Sequence, residues 1–329
     1  MNIDLAAISA PEIIEPLSFE AILAARKARF IELAPDMAPV MDLESEPAVK
    51  LLEEASYDEL LLRDRINLAA QAVMLAYATG NALEHIAALY GVTRLITDPG
   101  NPDAIPPLLP TLETDTALRA RVQMAPEGFS TAGPAGAYRF HALSASGQVL
   151  DAAVDSPRFT SLELTPEQLA LLPADTIALT CTYAAGLPSP RPGMVRVSVL
   201  SRAANGTPSA ELLSAVEATL NACDIRPLTD ELVVTAPEII EYVLEATLTT
   251  YPGPSAQAVL DAAQAAATRY TTETHRLGYD VTLSGLYAAL HQPGVQRVNL
   301  IQPAANVVCD LHQASYCAAI TLTLAGTDV

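Results

Sequence analysis

The sequence contains no tryptophan and has only two lysines, Lys27 and Lys50, among its eighteen cationic residues. Thirty-eight acidic residues bring the formal net charge to -20. A field of this sign repels phosphate backbones and anionic lipid surfaces, because proteins bind both by neutralising phosphates with Lys and Arg. The composition therefore argues against nucleic acid and membrane as partners.

Cysteine is also scarce. The four cysteines lie far apart with no C-x-x-C pair, and the first residues carry an acid where a signal peptide has bases. We expect a reducing cytoplasmic compartment. The four cysteines are Cys181, Cys223, Cys309 and Cys317.

No long uninterrupted apolar run is present. The longest apolar stretch begins at Leu68 and is broken by Gln71, Asn81, Glu84 and His85, so it predicts a buried helix rather than a membrane span.

Half of the 329 residues are hydrophobic and 17% are charged, which is typical of a globular chain long enough for two or three domains. The excess of arginine over lysine favours protein interfaces, where Arg is enriched and Lys depleted. A GC-rich genome explains the same bias equally well.

The predicted fold class is α+β, with an N-terminal helical region followed by two small mixed α/β domains. The pattern predicts helices over residues 1–92, a Pro-rich arm or linker over 93–112, a middle α/β domain over 113–236, and an α+β domain over 237–329. The last domain is expected to resemble a split β-α-β arrangement.

One predicted helix runs from Pro47 towards Gly80 and Asn81, which are expected to stop it before a shorter helix. It has apolar residues on more than one face. Such a helix needs more to pack against than a small local core, which favours a partner helix from another chain.

Polar residues cluster between His275 and Leu300, and they raise the question of catalysis. His275, Asp280 and His291 are the candidates, but no third residue is available to orient either histidine. Helix ends, caps and turns explain each of these residues, so structure is favoured over catalysis.

Other site motifs are weak. "GFSTAG" around Ser130 departs from the G-x-S-x-G elbow at Ala132 and lacks a preceding strand, so Ser130 is interpreted as a turn residue or a helix cap. The histidines show no metal spacing, and no phosphate-binding glycine loop is present. We therefore predict no catalytic, cofactor-binding or metal-binding residues, no cofactor, and no enzymatic activity.

Several segments together resemble the baseplate J-like proteins of contractile-tailed phages and phage-tail-like bacteriocins. The resemblance runs in order from about residue 3 to residue 325. The chain departs from shorter members by an insertion of about thirty residues near 158–192. The segments are "LESEPAVKLLEEASYDELLLRDRINLAAQAVMLAYATGNALEHIAALYGVTRL", "ETDTALRARVQMAPEGFSTAGPAGAYRFHALSA", "VRVSVLSRAANGTPSAELLSAVEATLNACDIRPLTDELVV", "YPGP" and "HRLGYDVTLSGLYAALHQPGVQRVNL".

The resemblance implies a structural baseplate wedge subunit, assembled in the bacterial host cytoplasm and located in the baseplate of a virion or tail-like particle. It implies a second copy of the same chain as partner, another wedge protein bound through the N-terminal helices, and neighbouring wedges contacted through the C-terminal domain. The family carries no catalytic residues. Two alternatives stay open at this point: an enzyme that uses the His275, Asp280 and His291 region, and a simple adaptor that binds one helix.

Overall fold

The computed structural model describes residues 5, 8–129, 133–169, 171–173, 175–253 and 255–328. The chain divides into two compact units: Met1–Arg94 with Thr114–Gln123, and Leu95–Glu113 with Met124–Val329. Helices come first and small mixed sheets follow, which confirms the predicted α+β class. The domain boundaries proposed from the sequence stay a prediction.

The first unit is helical. Its elements are α1 (Phe19–Leu33), a 3-10 helix (Pro35–Val40), α2 (Pro47–Ala72), α3 (Gly80–Leu89) and α4 (Asp115–Met124), whose last residue belongs to the second unit.

Helices α1 and α2 form an antiparallel pair. The sequence predicts Ser18 as the N-cap of a helix that begins there, because apolar residues follow it at near-helical spacing. The structure confirms this, since Ser18 Oγ accepts a hydrogen bond from Ala21 N at 3.3 Å. Arg26 pairs with Glu59 at 2.7 Å, and Arg63 bridges Glu59 and Glu15 at 2.8 Å each. Hydrogen bonds from Arg26 and Arg63 hold the pKa of the Glu59 carboxyl below its ordinary value.

Helix α2 ends at Ala72, eight residues before Gly80, so the prediction that it continues to Gly80 is wrong. Arg119 of α4 explains the early end. Its Nε donates to Leu75 O and its Nη2 donates to Ala78 O, both at 2.7 Å. These carbonyls are thereby satisfied outside a helix, and the chain turns to bury Ala78.

Gly80 begins α3 instead of stopping α2. Its φ of +51° suits glycine, and its N–H donates to Asp115 Oδ2 at 3.0 Å. Arg94 donates to the other oxygen of the same carboxylate at 2.6 Å. These two hydrogen bonds lower the pKa of Asp115, and the bond from Gly80 has the larger effect. Asp115 therefore caps α3 from a distant part of the chain.

The second unit begins with the proline-rich segment. Here β1 (Ile96–Asp98) pairs antiparallel with β2 (Thr111–Leu112), and Asn101 bridges Leu108. Residues 96–112 thus fold back on themselves.

The middle sheet has the order β3-β6-β7, with β3 antiparallel and β7 parallel to β6. The sequence predicts a β-α-β unit here, with a helix from Pro208 to Cys223 between the strands "GMVRVSVLS" and "DELVVTAP". Helix α7 connects the parallel neighbours, which confirms this unit. Tyr138 OH donates to Asp230 at 2.7 Å, and burial together with this carboxylate raises the pKa of Tyr138. The elements are α5 (Ala135–Ala145), β3 (Val149–Asp155), β6 (Met194–Ser201), α7 (Ala210–Leu220) and β7 (Glu231–Thr235).

An arm separates β3 from β6 and contains the predicted insertion. It consists of β4 (Arg158–Ser161), α6 (Pro166–Leu169) and β5 (Leu179–Tyr183), and its two strands are antiparallel. The residues Thr165, Pro166 and Gln168 predict a capping box at the start of a short helix. The structure confirms it, because Thr165 N donates to Gln168 Oε1 at 2.9 Å and Gln168 N donates to Thr165 Oγ1 at 3.4 Å.

The C-terminal sheet has the order β10-β8-β9, and β8 is parallel to β10 and antiparallel to β9. The sequence suggested a split β-α-β arrangement. The parallel strands are instead direct neighbours, because β9 returns along the opposite side of β8 after a tight turn at Gly294. The elements are β8 (Glu238–Thr250), α8 (Ala256–Thr274), α9 (Leu283–Leu290), β9 (Val295–Gln302) and β10 (Gln313–Thr327).

The two three-stranded sheets each bury one face under helices. In the C-terminal sheet, Leu244, Ala246 and Leu248 of β8 pack with Val259 of α8 and Leu286 of α9. In the middle sheet, Val197 and Val199 of β6 pack against α5 and α7. A third cluster, made by Ala153, Leu200, Leu277 and Ala314, joins the middle and C-terminal sheets within the second unit.

Candidate assembly surfaces

The structure places His275, Asp280 and His291 in three separate structural roles. His275 Nδ1 lies 2.5 Å from Ser315 O, and its ring packs edge-on against Tyr316. Asp280 Oδ1 accepts from Cys309 N at 2.9 Å. His291 is an exposed C-cap of α9. Among the described residues, no hydrogen bond joins the three side chains.

A different triad geometry is present in the second unit. His312 Nδ1 lies 2.9 Å from Ser198 Oγ, and His312 Nε2 lies 3.3 Å from Asp155 Oδ2. Sequence reasoning missed this group, because its members lie 114 and 157 positions apart and share no local motif. Only the pairing of β3 with β6 and the position of the β9–β10 loop bring them together.

These three residues lack the features of a hydrolytic triad. Ser198 is fully buried, so its hydroxyl cannot reach a substrate. Burial lowers the pKa of His312, and the positive charge of Arg196 lowers it further. The lowered pKa disfavours the imidazolium that a general base must form. Asp155 also accepts a hydrogen bond from Tyr183 OH, and Arg196 Nη1 donates to Ala185 O at 3.0 Å. These contacts connect the ends of the segment between β3 and β6 to the middle sheet.

Ser130 lies outside the residues that the structure describes. Within the described ranges, no cluster of three or more His, Cys, Asp or Glu side chains could hold a metal ion, and no helix is long and apolar enough to cross a membrane. All four cysteines are free thiols.

Helix α2 leaves much of its apolar surface exposed. Its buried residues, Val49, Ser56 and Asn67, lie on one face. Leu51, Leu62 and Ile66 are 66%, 64% and 57% exposed. At 3.6 residues per turn these three lie within roughly 60° of one another, roughly 120° from the buried face. They form what we call the first flank of α2.

A second apolar flank lies on the other side of the same helix. Tyr57, Leu61 and Leu68 are 55%, 47% and 56% exposed, and they fall within an arc of roughly 40°. With the buried face included, α2 therefore has three surfaces suited to packing. A helix of this kind is typical of one that contacts more than one neighbouring helix.

The C-terminal sheet also presents open surface. Exposed residues alternate with core residues along its strands, and Val243, Glu245, Arg297 and Thr321 lie on the side away from α8 and α9. This alternation is typical of an antiparallel or mixed sheet with one solvated face.

With this geometry established, comparison with known proteins defines the class. Residues 44–101 match the baseplate J-like N-terminal domain, residues 130–236 the baseplate J-like central domain, and residues 242–323 the baseplate J-like protein C-terminal domain. The chain belongs to the baseplate J-like family, and its role is that of a structural component of a phage baseplate.

One particular relative aligns with nearly the whole chain. The chain is similar to baseplate protein J of Escherichia phage P2, with 43% identity over 331 residues and 99% of each chain covered.

Proposed function

We propose that the chain is a wedge subunit of a contractile-tail baseplate. In each wedge it assembles with a second copy of itself and one copy of a partner wedge protein, and six wedges surround the tail hub. The subunits assemble in the host cytoplasm and end in the baseplate of a phage or tail-like bacteriocin. The chain has no catalytic role and needs no cofactor.

The observation that carries the proposal is the pair of apolar flanks on α2. Burial of a large aliphatic side chain contributes about 1.5–3 kcal/mol, and each flank exposes three large apolar side chains. Two flanks on one helix suit a bundle in which α2 contacts one helix on each side. The second copy and the partner wedge protein would supply these two helices.

A variant of the first flank tests the bundle. Replacing Leu62 and Ile66 by Ser should abolish co-purification of the partner wedge protein while leaving the chain folded, since both side chains are exposed. The matched control is Leu89→Ser, an 83% exposed leucine on α3. Full partner binding by this variant would exclude the first flank of α2 as the surface that binds the partner wedge protein.

The C-terminal domain, residues 237–329, has a different role in the proposal. It contacts neighbouring copies and closes a ring around the hub. Tail-fibre engagement pivots the wedge bundles, opens the ring and releases the sheath. Two packings of the assembly that differ by about a few kcal/mol per subunit would suffice for such a switch.

The segment 93–112 is the proposed swivel. The chain passes between its two compact units at 94/95, 113/114 and 123/124, close to both ends of this segment and to the end of α4. Shortening the loop between β1 and β2 should therefore impair triggering. If the shortened chain assembles and triggers normally, the swivel role is excluded.

A further inference from the structure

Strand β10 is an edge strand that is covered for a few residues. β8 pairs along one side from Gln313 to Thr327. On the other side, Leu277 bridges Ala314, Gly278 N donates to Gln313 O at 2.9 Å, and His275 contacts Ser315 O. Across the part of the chain that the structure describes, no strand pairs with the outer edge from residue 316 to residue 327.

The central part of this edge is regular. Register shifts interrupt the ladder between Cys317 and Ala319 and again between Leu324 and Gly326, so six regularly paired residues lie between them. Ile320 and Leu322 point into the core. Thr321 and Thr323 alternate with them and are exposed.

Residues Ala319–Leu324 lack most of the features that prevent the edge strand of one sheet from pairing with the edge strand of another. Natural edge strands carry Lys, Pro or inward-pointing charges, or are short or bulged. The two register shifts interrupt the edge only at the ends of this segment. The sequence between them, "AITLTL", is rich in β-branched and aliphatic residues and contains no charge and no proline. Such an open edge is a template for another strand.

Electrostatics favours a second copy as the occupant. A chain with a net charge of -20 repels itself, so a surface without acids is favourable for self-association. β10 has no charged side chain from Gln313 to Thr327. The nearest acid in register is Glu245 on β8. In an edge-to-edge pair, the two β8 strands lie about 14 Å apart, three strand spacings, which exceeds the Debye length of about 8 Å at physiological salt.

We propose that Ala319–Leu324 pairs antiparallel with the same segment of a second copy, around a two-fold axis, to form one continuous six-stranded sheet. An isologous contact of this kind uses the same patch on both subunits and needs no further partner. The inference rests on the proposed function, in which the C-terminal domain contacts other copies, and it specifies the strand that makes the contact.

Charge variants at Thr323 test the pairing. T323K and T323E each place like charges near each other across the two-fold axis, and each should raise the dimer Kd by about fivefold. An equimolar mixture should recover the Kd of the unmodified chain through heterodimers. The controls are N299K and N299E, at an exposed position on the opposite edge strand β9. Sedimentation velocity over a concentration series gives each Kd.

Amide hydrogen exchange locates the contact. In the unmodified full-length chain, the amides of Ala319–Leu324 should gain protection as the concentration rises. The proposal is overturned by a chain that stays monomeric, by a dimer that ignores both Thr323 variants, or by variants whose mixture shows no recovery. Pairing with a strand of a different protein, seen as protection only on its addition, also overturns it. Partner binding through α2 is measured separately, so loss of the edge contact alone leaves the wedge proposal standing.

Discussion

The carboxylate of Asp151 accepts a hydrogen bond from the backbone N–H of Leu277 at 3.2 Å, across 126 positions of the chain. Its other oxygen accepts from Ala152 N and from Arg139 Nη2, both at 2.8 Å. Asp151 and Leu277 are both buried, and the contact adjoins the apolar cluster that joins the two sheets of the second unit. This carboxylate helps to fix the middle sheet to the C-terminal domain.

Removal of that carboxylate should destabilise the protein. Asp151→Ala leaves the buried N–H of Leu277 without an acceptor, and the free energy of unfolding should fall by about 1–3 kcal/mol. Asp151→Asn keeps an acceptor oxygen and should cost less. Arg139→Ala, which removes a half-exposed partner, should cost under about 1 kcal/mol. Equilibrium urea unfolding measures all three, and an unchanged Asp151→Ala variant would contradict the account.

The stability of the second unit should depend on the protonation of His312. Burial and Arg196 lower the pKa of His312, against the opposing influence of Asp155 and Asp310. As the pH falls below about 6.5, the unfolded chain takes up the proton before the folded chain does. The stabilisation is therefore fully present above that pH and is lost as the pH falls.

The variant His312→Gln isolates this effect. Its free energy of unfolding should change less between pH 7 and pH 5 than that of the unmodified chain. At pH 7 the variant should be less stable than the unmodified chain, because the contacts to Ser198 and Asp155 are weakened. His141, whose pKa is also lowered by burial, keeps its own contribution in both proteins. Identical pH profiles for the two chains would show that His312 titrates alike in the folded and unfolded states.

Arg119 should be essential to the turn that ends α2. Arg119→Lys supplies one point charge in place of the planar guanidinium that binds Leu75 O and Ala78 O, so one carbonyl loses its donor. We expect a loss of about 1–3 kcal/mol and faster amide exchange over residues 73–79. Arg29→Lys on α1 is the control, since Arg29 makes no ion pair or hydrogen bond with the residues that the structure describes. Equal exchange rates over 73–79 in both variants would remove Arg119 from this role.

Local sequence signals predicted most of the elements. The cap at Ser18 and the capping box at Thr165 were correct, because each depends on residues within one helical turn. For α9 the sequence offered Thr282 or Ser284 as the cap, and the structure shows Thr282. The alternation of Val195, Val197 and Val199 with polar residues predicted the face of β6 that packs on α5 and α7. It did not predict that Ser198 and Leu200, on the opposite face, are also fully buried. These signals are short in range, and the structure that they determine is local.

The predictions failed where distant residues decide the outcome. The end of α2 depends on Arg119, which lies more than forty positions further along the chain. The order of the C-terminal strands depends on which edge of β8 pairs with β9 and which with β10, and no local sequence pattern predicts this. The group of Asp155, Ser198 and His312 has the same cause. The sequence did predict that α2 has apolar residues on more than one face, because this pattern depends only on the spacing of residues within the helix.

The most direct test of the central claim is the absolute mass of the complex, measured by light scattering after coexpression with the proteins encoded beside this chain. The account predicts two copies of this chain bound to one copy of a single neighbour, in a complex that the chain does not form alone. A stable monomer that binds none of its neighbours would contradict the wedge assignment.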